Sequence, residues 1–147
     1  MHYYRYDLLI KGGTVIDPSQ GFHSVNDVAV EKGKIARVAA SIPVEEAQQV
    51  LQVRGKVVTP GLIDLHTHVY HGVNDTGVEP DIWGIRAGVT TMVDAGSSSC
   101  DTFGGFPKHI IPNIHTEVIC FLHIARTGLA TTPDIFSPAS IDLDKTI

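Results

Sequence analysis

The chain has 147 residues, 43% of them hydrophobic, and a formal net charge of −5 from 16 acidic and 11 basic side chains. That balance excludes the cationic stripe by which nucleic-acid binders hold phosphates, and the longest unbroken apolar run, residues 118–122, is far shorter than the ~20 residues of a membrane helix. No secretory pattern opens the sequence and the two cysteines, Cys100 and Cys120, give no disulfide framework, so the cytoplasm is the expected compartment.

Up to about Lys56 the sequence reads as short apolar segments between tight turns. Strands are predicted over 6–11, 14–17, 25–31 and 34–39, with turns at Gly12-Gly13, at residues 18–21 and at Lys32-Gly33. A further hairpin is predicted from 50–53 and 56–59 around Arg54-Gly55. Strands at this spacing suggest an antiparallel sheet or small sandwich, assigned to residues 1–58, and no helix of useful length is visible there.

After Thr59-Pro60-Gly61 the rhythm changes to strand, helix, strand. A strand over 62–66 precedes a helix over 79–87, which Pro80 can open and Gly88 can stop. A β-branched strand over 89–94 follows, then a helix over 106–113 between Pro107 and Pro112. The run 118–124 is continuous rather than alternating, as in a strand buried on both faces, with Cys120 as a small buried hydrophobe inside it. A third helix opens at Pro138. Three βα units in sequence predict a parallel sheet, and residues 59–147 are expected to form the first part of a (β/α) barrel. A closed eight-stranded barrel needs ~250 residues, so the sequence is expected to be the amino-terminal portion of something larger.

The segment Gly61-Leu-Ile-Asp-Leu-His-Thr-His-Val69 carries the chemistry. Residues two apart in a strand share a face, which predicts that Asp64, His66 and His68 project together while Leu65 and Thr67 face away. Barrel active sites lie at the carboxyl ends of the strands, where this pair falls. Two neutral imidazoles at this spacing can reach one cation at Zn–N distances of about 2.0–2.1 Å; the alternative is a pair of hydrogen-bonded strand histidines.

TPGLIDLHTH closely resembles the opening barrel strand of the amidohydrolase superfamily, the metal-dependent hydrolases that include dihydroorotase, hydantoinase and D-aminoacylase. Upstream, DLLIKGGTVIDP, DVAVEKGKIARVA and RGKVVTPG resemble that superfamily's small β-sandwich. Downstream, AGVTTMVDAGSSSCDTFGGF and VICFLHIARTGLA resemble its dihydroorotase-like deacetylase branch. The resemblance implies an α/β fold, a partial TIM (β/α)8 barrel of three βα units preceded by a β-sandwich. It implies His66 and His68 as ligands of a centre of one or two divalent metal ions, usually zinc, and an activated hydroxide that removes an acyl group from a small amide or ester. Opening of a cyclic amide is the alternative reaction, and a non-catalytic fragment or a subunit needing another polypeptide is the alternative role. The family's remaining ligands and its proton-carrying aspartate come from later strands, so the catalytic acid–base residue is expected beyond Ile147 and the isolated chain is expected to be inactive. Lys145, in the third predicted helix, does not match the family's bridging lysine.

Further candidates follow from position. Asp64 is either a carboxylate orienting an imidazole or a structural hydrogen-bonded one. Asp94 and Ser97 to Ser99 follow the second strand, where barrel loops build a substrate pocket, although a serine run is also an ordinary turn. His123 ends the third strand and could face the pocket or bond to a neighbour. Arg126 could clamp a substrate carboxylate or form a structural ion pair. Tyr70 and His71 follow the histidine pair and are candidates by loop position alone, and Trp83 is expected to pack on the sheet. The expected partner is a small acylated molecule, with no nucleic acid and no membrane; a homo-oligomer is compatible with the sequence.

Overall fold

The computed structural model describes residues 3–130 and 137–147. The chain divides into two compact units, Met1–Pro60 and Gly61–Ile147, and the fold is mixed α/β with one sheet in each.

The first unit is a five-stranded sheet of β1 (Tyr6–Asp17), β2 (Phe22–Glu31), β3 (Lys34–Ala39), β4 (Ala47–Gln52) and β5 (Val57–Val58). The order is β3-β2-β1-β4, with β5 also on β1. The meander β1–β2–β3 is antiparallel as expected. Its β2–β3 turn holds Lys32 at φ 51° and Gly33 at φ 73°, the two positive φ values that match the strand twist in a two-residue hairpin.

Two expectations change here. Gly12-Gly13 is not a turn: β1 runs straight through it, and the glycines mark a register shift between Ile10 and Gly13, a bulge for which Gly12 takes φ 77°. Nor do 50–53 and 56–59 pair with each other, because β4 and β5 both run parallel to β1. The Val53 N–H donates to the Lys11 carbonyl and the Thr14 N–H to the Lys56 carbonyl, each at 2.9 Å, so the backbone groups of β1 are claimed on either side of its bulge. Tyr6, Leu9, Ala29, Ile42 and Ala47 form the core. Beside it the buried Asp27 carboxylate accepts from Lys11 Nζ at 2.7 Å and from the Gly12 and Ile42 N–H groups at 2.8 Å. Burial alone would raise this carboxyl, but those donors outweigh it and hold it below the usual carboxylate range.

The second unit holds a parallel sheet, β6 (Leu62–Thr67), β7 (Val89–Ala95) and β8 (Glu117–Phe121), in that order. The helix predicted over 79–87 is one turn, α1 (Pro80–Trp83), then a 3₁₀ turn Ile85–Ala87. Gly84 causes the break: it packs so closely on the Pro80 carbonyl and Thr116 that no Cβ fits, and Thr116 Oγ1 takes the Ile85 N–H at 3.1 Å. Asp81 on α1 accepts from the His115 and Thr116 N–H groups at 2.8 and 2.9 Å. The predicted helix over 106–113 is likewise a π turn, Phe106–Ile110, and a 3₁₀ turn, Ile111–Asn113. At Pro138 a 3₁₀ turn precedes the short α2 (Leu143–Thr146).

β8 stops at Phe121, and its burial alternates between exposed and half-buried residues instead of being continuous. The core of this unit is Val69, Tyr70, Met92 and Phe106, with Val89, Val118 and Cys120 against it. All of β6 except Thr67 is exposed. Among the described residues no helix is long and apolar enough to cross a membrane.

Candidate metal site

His66 is the penultimate residue of β6 and His68 follows its last. Their rings lie 5.6 Å apart between centroids, edge to face at 86°. Both line an open cavity of about 320 Å³, together with Asp64, Thr67, Val78, Trp83 and Met92.

Thr67 departs from the expectation that it faces away. Asp64 pairs with Met92 and Thr67 with Asp94, so three steps of β6 span two of β7 and the simple alternation breaks between them. Asp64 Oδ1 accepts the His66 N–H at 3.1 Å at this slip, and Thr67 Oγ1 donates to the Val93 carbonyl at 3.1 Å. Trp83 is another correction: it does not pack under the sheet but stands 63% exposed on a one-turn helix, as part of the cavity wall.

Behind the histidines lies a buried polar layer. Asp94 and Ser97 to Ser99 have no exposed surface. Asp94 Oδ2 accepts the Val69 N–H at 2.7 Å and Oδ1 the Ser97 N–H at 2.6 Å. Ser97 Oγ lies 3.2 Å from His68 Nδ1. The Asp94 charge is felt nearby: burial first, then this carboxylate, pushes the Cys120 thiol up to about 12.

The other candidates are engaged elsewhere. His123 Nδ1 accepts the Ala125 N–H at 2.9 Å, and its carbonyl accepts from Ser99 Oγ. Arg126 Nε donates to Asp101 Oδ2 at 2.9 Å, in a different cavity lined also by Thr127, Ser137 and Ser140; that ion pair raises the guanidinium and lowers the Asp101 carboxyl. Tyr70 is buried, its hydroxyl donating to the Thr102 carbonyl at 2.8 Å. His71 is exposed, with Nδ1 3.3 Å from the Gly77 carbonyl.

Two imidazoles on one cavity wall suit zinc as two of its donors, since zinc takes neutral ring nitrogens in a four-coordinate site. Among the described residues no group of three or more His, Cys, Asp or Glu side chains converges.

No family model matches the sequence. The chain is 35% identical over 116 residues to a deacetylase of Agrobacterium fabrum, covering 77% of this chain and 28% of the relative. It is 45% identical over 73 residues to a dihydroorotase of Geobacter sulfurreducens, covering 50% of this chain and 16% of that protein. It superposes on a crystal structure of a dihydroorotase with a TM-score of 0.78 at 29% identity, covering 95% of this chain and 38% of the other. Its structural neighbours are members of the amidohydrolase superfamily. Its relatives there carry the names deacetylase and dihydroorotase, the branch that AGVTTMVDAGSSSCDTFGGF and VICFLHIARTGLA suggested. Amidohydrolases of this kind are typically metal-dependent. The chain spans less than a third of the length of these curated relatives.

Proposed function

We propose that this chain carries part of the active centre of a metal-dependent hydrolase that removes an acyl, acetyl-like group from a small amide or ester. The observation that carries the reading is the His66–His68 pair, with ring centroids 5.6 Å apart, at the carboxyl end of a strand in a parallel sheet. In this reading residues 59–147 are the first three βα units of a (β/α)8 barrel, residues 1–58 contribute to a β-sandwich, and the protein works in the cytoplasm. His66 and His68 hold zinc as neutral imidazoles, so protons compete with the metal. When bound, zinc supplies Lewis acidity at neutral pH. Asp64 pins the His66 backbone, and Val78, Met92 and Trp83 give the cavity apolar walls. The remaining ligands and the proton-carrying aspartate are expected from the family's later strands.

Two observations keep other readings in play. The 45% identity to a dihydroorotase over 73 residues favours opening of a cyclic amide. The lack of a third ligand among the described residues, with Leu65 73% and Phe121 61% exposed, favours a chain that acts only with another polypeptide. Metal analysis after dialysis of the purified protein against zinc tests the primary reading: the protein retains zinc, and the His66→Ala/His68→Ala double variant does not. A protein that retains no more zinc than the double variant overturns it. Turnover, by a chain extended through the family's later strands, of N-acyl amino acids in preference to dihydropyrimidine or hydantoin rings separates the two reactions.

A further inference from the structure

The buried layer behind the histidines holds a device that the functional reading leaves unused. Asp94 is a carboxylate without exposed surface, and it spends its two oxygens on two backbone donors from different loops. The Val69 N–H, next to His68, binds Oδ2, and the Ser97 N–H, beyond the end of β7, binds Oδ1. A single side chain thus ties the loop after β6 to the loop after β7. Ser97 is gripped from its other end as well, because its carbonyl accepts the Leu129 N–H at 3.1 Å. Gly128 makes that approach possible: it sits at φ 63°, and a Cβ there would lie 2.6 Å from the Ser97 carbonyl oxygen. With its N–H and its carbonyl both held, Ser97 presents its hydroxyl 3.2 Å from His68 Nδ1.

We propose that Ser97 is a positioning residue for His68: its hydroxyl covers Nδ1 and leaves Nε2 as the nitrogen offered to a divalent metal ion, while Asp94 holds Ser97 in register with β6. The proposal rests on the reading of His68 as a metal ligand. A neutral imidazole has one N–H donor and one acceptor nitrogen. A ligand whose Nε2 lone pair faces a cation carries its proton on Nδ1, and the Ser97 hydroxyl can rotate to accept it. A serine does this without adding charge to the site. Partners on the second ring nitrogen fix the tautomer and ring orientation of ligating histidines, and their loss typically weakens metal binding about 10–100-fold.

The neighbouring Ser98 supplies a matched control. Its hydroxyl is also fully buried but has no hydrogen-bond partner among the described residues, so Ser98→Ala removes a buried hydroxyl without touching His68. The experiment uses the 147-residue chain labelled with ¹⁵N-histidine, followed by long-range ¹H–¹⁵N correlation at one fixed pH, with and without added zinc. Zinc affinity is read in parallel by competition against a chromophoric chelator. In the wild type, zinc is expected on His68 Nε2 with the proton on Nδ1. Ser97→Ala is expected to shift the metal-free Nδ1 resonance and to weaken zinc retention about 10–100-fold. Ser97→Thr, which keeps the hydroxyl, restores both, and Ser98→Ala behaves as wild type. Zinc bound through Nδ1 of His68 in the wild type overturns the proposal whatever the variants do. So does a Ser97→Ala chain with an unshifted Nδ1 resonance. If the wild type binds no zinc at either histidine, the functional reading fails, and the metal-free resonances still decide whether Ser97 engages Nδ1.

Discussion

Removing the Asp94 carboxylate is the sharpest structural test of how this site is held. Asp94 has no exposed surface and accepts two backbone N–H groups at 2.7 and 2.6 Å. Hydrogen bonds to a charged group contribute roughly 1.5–3 kcal/mol each, and a buried donor left without a partner costs about 1–3 kcal/mol. Asp94→Asn keeps one carbonyl oxygen but turns an amide NH₂ toward the other N–H, so one bond is lost and about 1.5–3 kcal/mol of stability with it. Asp94→Ala orphans both donors and should cost about 2–6 kcal/mol. At a urea dependence of about 1–1.5 kcal/mol per molar for a unit of this size, the Asn variant should lower the unfolding midpoint by on the order of 1 M or more. The single tryptophan, Trp83, lies in the second unit and reports that unit's transition separately. Amide exchange supplies the local readout: protection of the Val69 and Ser97 N–H groups should fall in Asp94→Asn, while that of the Gly12 and Ile42 N–H groups on Asp27 stays unchanged. Unaltered protection at Val69 and Ser97 with an unaltered midpoint would refute the claim that this carboxylate joins the two loops.

The same geometry yields three further predictions. Cys120, its thiol raised to about 12 by burial and by Asp94, should resist alkylation at pH 8 in the folded chain, so iodoacetamide should label Cys100 first; rapid labelling of Cys120 before unfolding would contradict this. Gly105→Ala should destabilise the second unit by about 1–3 kcal/mol, as overpacking does, because a Cβ at Gly105 collides with the Tyr70 hydroxyl and pushes it off the Thr102 carbonyl; an unchanged urea midpoint would show that Tyr70 moves freely. Asp81 is pulled well below its ordinary 3.8 by the Thr116 N–H first, then by the His115 ring. A carboxyl with a depressed folded pKa stabilises above its unfolded value and loses that contribution as pH falls through the folded one. The second unit should therefore lose stability below about pH 4, and Asp81→Asn should be less stable at neutral pH with a flatter acid limb; identical acid profiles for the two proteins would sink the assignment.

The fold was legible where a local rule decides and opaque where pairing decides. Lys32-Gly33 announces a tight hairpin, and β2 and β3 pair across it as expected. Arg54-Gly55 carries a similar signal, yet β4 and β5 turn to β1, because sequence contains turn propensity but not which neighbouring edge has free backbone groups. Gly12-Gly13 was ambiguous for the same reason, since a positive φ serves a bulge as readily as a turn. The helix predicted over 79–87 failed at a tertiary contact: Gly84 is pressed against Thr116, far away in sequence and just before β8, and that packing overrides local periodicity.

Site residues were legible by type and not by support. The sequence places His66 and His68 together at a strand end, and the structure brings both to one cavity, although Thr67 between them lines it too. Thr67 escaped because the period assumes an unbroken ladder, and the slip between the Asp64–Met92 and Thr67–Asp94 pairs belongs to the pairing rather than to either sequence. Asp94 was sought as a pocket wall, although a signal for its real role existed: Asp three residues before a serine at a strand end captures backbone N–H groups locally. His123 and Arg126 show the complementary effect, one held by Ala125 two residues on, the other by the Asp101 carboxylate. His68 differs in where its partner comes from. Its Nδ1 meets Ser97 from the loop after another strand, which orients the ring within the cavity wall and leaves Nε2 without a protein partner among the described residues. A ring held at one nitrogen and free at the other is what a metal ligand requires, so the test of Ser97 bears on the site more directly than any further search for ionisable side chains around it.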